Sequence, residues 1–341
     1  MTPRTLEIAS SPHVAKGHDV STIMFNVVLA MLPVAAFAVY LFGLTALLGL
    51  LVATLSCVLT EAAVCRFSGR PLSVGDGSAV ITGLLYGLTL PPGLPLWMVA
   101  AGGILAILVG KAAFGGLGAN PFNPALVGRA LLQAAFPVAM TSWVVARDPA
   151  RFTSLPSSTL TLPLTEPVYD SVAGATPLGA WKFEQISTDS VDLLLGLSSG
   201  SSGETCAVLV LAGGLYLAVR GMLNWRIPVA ILATVGLFAA ALQLADPELY
   251  PGAAHHLLSG GLMLGAVFMA TDMVGSPMTH TGCVLYGALI GVLVVVIRTW
   301  GGMSEGVMYA ILLGNAVAPH LDKAIRPRVY GTPKRSGAVS S

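Results

Sequence analysis

A chain of 341 residues in which only 10% are Asp, Glu, Lys or Arg carries less than half the roughly 25% of a typical globular protein, which excludes a soluble two-domain reading. Hydrophobic residues make up 55%, and residues 20–60, 77–110, 227–245 and 273–297 hold no formal charge, each run approaching or exceeding the roughly 20 apolar residues that cross a bilayer core. The net charge of +1 gives no argument for nucleic acid.

The predicted elements begin after a polar segment, residues 1–21, that lacks the pattern of a cleavable signal peptide. Apolar runs near 22–42, 44–65, 78–90, 96–113 and 123–136 form a first five-helix membrane repeat over 22–136. A Ser-, Thr- and Pro-rich connector over 137–203 follows, too polar for its backbone to sit in hydrocarbon. Runs near 204–219, 227–244, 257–271, 281–298 and 305–321 form a second repeat over 204–321, and 322–341 is a basic tail. The expected fold is thus an all-α polytopic membrane protein of about ten transmembrane segments.

Placing the N-terminus in the cytoplasm leaves twelve of the 17 Lys and Arg residues on that side, and only Arg147, Arg151, Lys182 and Arg298 outside. Both termini are therefore expected inside and the connector outside. Five crossings per half make any internal similarity an inverted repeat. Gly83-Leu84-Leu85-Tyr86-Gly87 is echoed by Gly261-Leu262-Met263-Leu264-Gly265, and Phe114-Gly115-Gly116-Leu117 by Trp300-Gly301-Gly302-Met303, at offsets of 178 and 186. The third segment of the first half is thirteen residues, or roughly 20 Å of helix, less than the bilayer core. Short third segments at matching positions point to broken helices and a site between the repeats.

Polar residues inside these runs are the candidates for function. Glu61 reads either as a group reaching the interface beside Arg66 or as a paired buried charge. Asn123 suits an N-cap with Pro124 at the first helical position, and Arg129 one turn further makes the corner attractive to an anion. Arg129 could equally pair with Asp76 or Glu61; on the anion reading, Arg129→Ala slows electron transfer more than it harms assembly. Asp272 either binds a cation or cofactor or caps the turn at Gly275-Ser276-Pro277. No metal site is expected: Cys57, Cys65, Cys206 and Cys283 are scattered, and His255 and His256 are adjacent.

In the connector, Asp170-Ser171-Val172-Ala173-Gly174-Ala175-Thr176-Pro177 reads by itself as a turn, with Thr176 extended before proline. A wider pattern changes its weight. Ser11-Pro12-His13, Pro91-Pro92, Lys111, the loop from Phe114 to Asn120-Pro121-Phe122-Asn123-Pro124-Ala125, the run Phe136 to Trp143, His256-Leu257-Leu258-Ser259-Gly260, Thr271-Asp272 and the closing Arg326 to Gly331 all resemble the D subunit of Rnf ion-translocating electron-transport complexes. The loop with two Asn-Pro pairs is the most specific part, and the B subunit of the sodium-pumping NADH:quinone oxidoreductase shares it.

The resemblance implies a flavoprotein of the bacterial inner membrane. In that family FMN is joined through its phosphate to a threonine in an external Asp-x-x-Ser-x-Ala-Thr motif, which places the attachment at Thr176, with Asp170, Gly174 and Ala175 in the motif. A flavin transferase forms the bond from FAD, the threonine hydroxyl attacking phosphorus. Ala173 departs from the serine often found there. The implied role is relaying electrons between ferredoxin and NAD, coupled to Na⁺ or H⁺ movement, beside the A, B, C, E and G subunits, the last of which also carries covalent FMN. No catalytic constellation is required of this chain. A second, non-covalent riboflavin is implied near Asn120, Asn123 and Arg129. A solute channel or transporter and a cofactor-free scaffold are the competing readings.

Overall fold

The computed structural model describes residues 19–326 apart from 71–72, 164, 166–175, 187 and 205. Among the described residues all regular structure is helical. The first half contains α1 (Val20–Phe42), α2 (Leu44–Phe67), α3 (Ser78–Thr89), α4 (Leu96–Gly110) and α5 (Pro124–Ala135). The second contains α6 (Ala207–Val219), α7 (Arg226–Ala245), a broken α8 (Ala253–Leu258, then Leu262–Leu264 and Gly265–Met269), α9 (His280–Trp300) and α10 (Val307–Ala324). Among the described residues, five helices are long and apolar enough to cross a membrane: α1, α2, α4 extended to Phe114, α7 and α9. α3 and α6 are shorter apolar helices. The chain is a multi-pass membrane protein.

α3 is short because chain-breaking residues stand at both ends: Gly77 precedes it at φ +77°, and Pro91-Pro92 follow it. α8 breaks at Ser259–Gly261, where Gly260 adopts φ +69° and a methyl group on it would lie 2.7 Å from Leu178 Cδ1 and 3.0 Å from Arg298 Nη2. Only glycine fits that corner. Its wide turns continue through Gly265–Met269.

Small residues carry the helix packing, as expected where lipid supplies no hydrophobic drive between helices. In the first half Gly103 of α4 lies on α2, where an added methyl would collide with Ser56 and approach Ala53 O to 3.4 Å. In the second, Gly291 of α9 lies on α7, where a methyl would sit 2.7 Å from Thr234 Cβ and 3.0 Å from Ile231 O. Each time the partners are a carbonyl and the side chain three residues on. The repeat glimpsed in short motifs is therefore a repeat of packing.

Two further pairs extend this correspondence. Lys111, just past α4, donates to Glu61 Oε2 at 2.7 Å and to Ser78 Oγ at 2.6 Å at the start of α3. Arg298, near the end of α9, donates to His256 O and to Ser259 O at 2.9 Å at the break in α8. Both cations are 4% exposed. In each repeat a cation at the end of the fourth helix holds the third, at its first residue in one half and at its break in the other.

The halves clasp each other through their fifth helices. Arg129, inside α5, forms an ion pair at 3.0 Å with Glu305, two residues before α10. Asn315, inside α10, accepts from Asn123 N at 3.4 Å at the N-cap of α5, and donates to Gly275 O at 3.0 Å and Tyr286 OH at 2.9 Å. Each fifth helix thus reaches the start of the other, the geometry of an inverted pair.

The connector caps one end of this bundle. Arg147 N donates to Leu41 O and Leu44 N to Arg151 O at the α1–α2 turn. Gly203 N donates to Leu88 O, and Ser158 Oγ to Gly93 O, at the α3–α4 turn. Lys182 Nζ donates to Arg298 O, Gly301 O and Met303 O at the C-terminus of α9, a favourable place for a cation because helix carbonyls end there unpaired. All three turns lie on the same face, as alternating crossings require.

Candidate functional site

Thr176 begins a short turn of helix, Pro177–Gly179, that continues as one wide turn over Ala180–Glu184. It is the N-cap in extended conformation, its hydroxyl oxygen accepting from Gly179 N at 3.1 Å, as a threonine before proline at the first helical position favours. Its residue is 8% exposed. Leu178 packs on Gly260, and Lys182 clamps the end of α9, so the turn is fixed to the second repeat. Burial holds the Lys182 ammonium below the usual lysine range. Asp170, Gly174 and Ala175 lie outside the described residues, as do most of the opening and closing motifs.

A cavity of about 340 Å³ opens beside this turn, lined by Leu178, Trp181, Tyr250, His255, His256, Arg298 and Trp300 among others. Its walls include three aromatic rings, and its polar groups mix the basic Lys182, His255, His256 and Arg298 with the neutral Gln185, Thr299 and Ser304. His256 is 3% exposed, yet neither ring nitrogen has a hydrogen-bond partner, and His255 Nε2 and Arg298 Nε are also buried without one.

A second cavity lies between the repeats at the other end of the bundle, enclosing about 100 Å³. It brings together Lys111, Asn120, Asn123, Thr271 and Asp272 from both halves, with Met24, Met222 and Met273 in the apolar wall. Asn123 Oδ1 caps α5 by accepting from Ala125 N at 3.0 Å, with Pro124 at the first helical position, while its Nδ2 donates to Met269 O across the repeats at 3.3 Å. Asn120 is 3% exposed with its Oδ1 unpartnered. Asp272 accepts from Val274 N at 3.2 Å, so it shapes the following turn and borders the cavity at once.

Arg129 does not line that cavity. Its partner is Glu305 rather than Asp76 or Glu61, because α5 turns this face toward α10 and Glu61 is already held by Lys111. Glu61 in turn does not reach the interface: it is 4% exposed and also accepts from Ser73 Oγ. Sequence reading passed over Glu204, Arg298 and Glu305 as site residues, and weighed His255 and His256 only as metal ligands. Arg298 had a signal, since it stands 187 positions after Lys111, almost the repeat offset of the adjacent loops. Glu204 and Glu305 had none, because each lies in a loop where a polar residue is ordinary.

A family model described as NQR2, RnfD, RnfE family matches residues 7–331. The chain belongs to that family. It is 41% identical over 335 residues to the D subunit of the proton-translocating ferredoxin:NAD(+) oxidoreductase complex of Clostridium ljungdahlii, covering 95% of this chain and 96% of that one. It is 42% identical over 328 residues to the D subunit of the ion-translocating oxidoreductase complex of Stutzerimonas stutzeri, with 92% of each covered. With the D subunit of the Na(+)-translocating ferredoxin:NAD(+) oxidoreductase complex of Acetobacterium woodii it shares 39% over 338 residues and 98% of each chain. Family members whose names carry different ions are thus about equally similar to it.

Proposed function

We propose that this chain is the membrane flavoprotein subunit of an Rnf-type complex that relays electrons between ferredoxin and NAD and couples them to movement of Na⁺ or H⁺. Similarity over nearly the whole length to the D subunits of ferredoxin:NAD(+) oxidoreductase complexes carries this reading. The site is FMN joined through its phosphate to Thr176. What supports it is that Thr176 stands at the head of a turn fixed to the second repeat and bordering a cavity with aromatic walls and several basic side chains, a surrounding that suits a planar, polar-edged ring. A bound flavin supplies one-electron and two-electron chemistry; the chain supplies the tether, the walls and the fixed charges. Thr176 at 8% exposure is closed to a transferase, so flavin transfer precedes docking of the connector.

The orientation follows the charges. Arg66, Arg70, Arg220 and Arg226 flank helix ends opposite the connector, so that end and both termini face the cytoplasm and the connector faces the periplasm of a bacterial inner membrane. The partners are the A, B, C and E subunits of Rnf, the G subunit with its own covalent FMN, and the flavin transferase that matures the chain.

The deciding experiment is simple. Purified from cells that hold the transferase, denatured and run on a gel, the wild-type chain is expected to fluoresce under ultraviolet light and Thr176→Ala to be dark. A dark wild-type band overturns the covalent reading and leaves a transporter or scaffold.

A non-covalent riboflavin is proposed for the cavity between the repeats, supported by the unpartnered Asn120 Oδ1 beside Asn123 and Asp272. The enclosed space is below the range of about 300–1,000 Å³ usual for ligand pockets, so the flexible methionine walls must part to admit the ring. Acid extraction should release free riboflavin from Thr176→Ala; none in the supernatant removes the second flavin.

A further inference from the structure

We infer that Glu204 and Glu305 form a proton-binding site at the joint between the two repeats, where one exchangeable proton, carried by Glu204 and shared with Glu305, keeps the Arg129–Glu305 clasp closed. The site stands apart from any group carried on Thr176.

Position comes first. Glu305 stands two residues before α10, accepts from Gly261 N at the break in α8 and pairs with Arg129 of α5 at 3.0 Å. Glu204 ends the connector three residues before α6, where Gly203 N donates to Leu88 O and Ser202 N to Leu90 O of the first repeat. A methyl group on Gly261 would lie 2.8 Å from Glu305 Oε1 and 3.9 Å from Glu204 Oε1, so both carboxyl groups face the same point. They are within hydrogen-bonding reach of each other. The connector, the break in α8, α5 and the start of α10 therefore meet at this pair.

Hydrogen-bond accounting comes second. Glu204 Oε1 is buried without a partner, and what faces it is another carboxylate. An ionised carboxylate only accepts, so this oxygen gains a bond only by carrying a proton and donating it to Glu305. Two ionised carboxylates sharing one buried site would repel, which is why such a pair keeps one proton. The surroundings decide which partner holds it. Burial pushes Glu305 up, but Arg129, Arg298, the Gly261 N–H and Glu204 outweigh it and hold that carboxyl below its ordinary value. Burial and Glu305 push Glu204 up to about 8, against the opposing pull of Arg129 and the Ser201 hydroxyl. Arg298, which also acts on Glu204, is fixed by two backbone carbonyls and cannot follow the charge. Losing the proton sets a second negative charge against Glu305 and draws on Arg129. An unfolded glutamate ionises near 4.5, so the proton's contribution to stability is whole below that value, falls as pH rises and is gone above about 8.

The test uses the full-length chain in detergent, wild type beside Glu204→Gln and Ser201→Ala. Infrared difference spectra from about pH 6 to about pH 9 read the C=O stretch of protonated carboxyl groups, and thermal midpoints are taken over the same range. In wild type a band is expected to fade around pH 8, and in Glu204→Gln that band is expected to be missing. The wild-type midpoint should fall over this range and that of Glu204→Gln, whose amide cannot ionise, should fall less. Ser201→Ala removes the hydroxyl that favours the ionised form, so its band should fade at higher pH. That shift decides the matter if Glu204→Gln fails to assemble. A wild type with no fading band, a band that fades alike in wild type and Glu204→Gln, or one that fades at the same pH in Ser201→Ala overturns the site. Parallel midpoint profiles in wild type and Glu204→Gln overturn the link between the proton and the clasp. None of these failures touches the attachment at Thr176, which the gel tests by itself.

Discussion

Replacing Lys111 with alanine is expected to destabilise the chain by about 3–5 kcal/mol, the usual penalty for stripping the partner from a buried charge. Its ammonium and the Glu61 carboxylate meet at 2.7 Å with each side chain 5% exposed, and the same nitrogen satisfies Ser78 Oγ at the start of α3. Removal therefore leaves the Glu61 charge uncompensated between α2, α3 and α4, while Ser78 Oγ keeps its bond to Asp76. The double variant Glu61→Leu with Lys111→Met is expected to recover most of the loss, since no charge is then left uncompensated. Thermal unfolding in detergent reads both. Equal losses in the single and double variants would show that the pair is not the source of the effect.

The second large effect is expected at Arg129. Its guanidinium and Glu305 tie two helices together across 176 positions of sequence, at 9% and 16% side-chain exposure. Burial and Glu305 push the neighbouring Glu204 carboxyl up to about 8, so Glu305 carries the charge of that pair, and Arg129→Leu leaves it buried without its ion-pair partner, offset by Arg298 and the Gly261 N–H. A loss of about 3–5 kcal/mol follows by the same argument. This inverts the expectation from sequence: the variant should fail in assembly of the two halves before it slows electron transfer. The check is the thermal midpoint beside the in-gel flavin signal, with Arg129→Glu/Glu305→Arg as the control. Wild-type stability in Arg129→Leu would free the residue from this structural role, whereas partial recovery in the charge swap would tie the effect to the pair.

Both pairs show how far a sequence can be read. The apolar runs declared α1, α2, α4, α7 and α9 because hydrophobicity over a bilayer's thickness is a local property that needs no fold to express it. Asn123 and Pro124 declared the start of α5 for the same reason: a cap is made within a few residues. The break in α8 was legible as a short run, though not the Arg298 clamp on its backbone, which comes from a helix some forty residues later. Thr176 carried a motif, but its burial and its anchoring by Lys182 could not be read there, because the anchor is three carbonyls at the end of α9.

The sequence by itself determined the solvent, the five long apolar helices and the residue that the family resemblance singles out, since each is written within one helix length. Only the tertiary structure decided which buried charges meet: Glu61 with Lys111, Arg129 with Glu305, Arg298 with the corner of α8. The physical reason is that a charge in hydrocarbon must find a partner wherever the packing brings one near, and in an inverted repeat that partner lies in a helix far off in sequence. The low charge content excluded water as the solvent; the partners of the few remaining charges were settled by packing within each half and, for Arg129 and Glu305, between them.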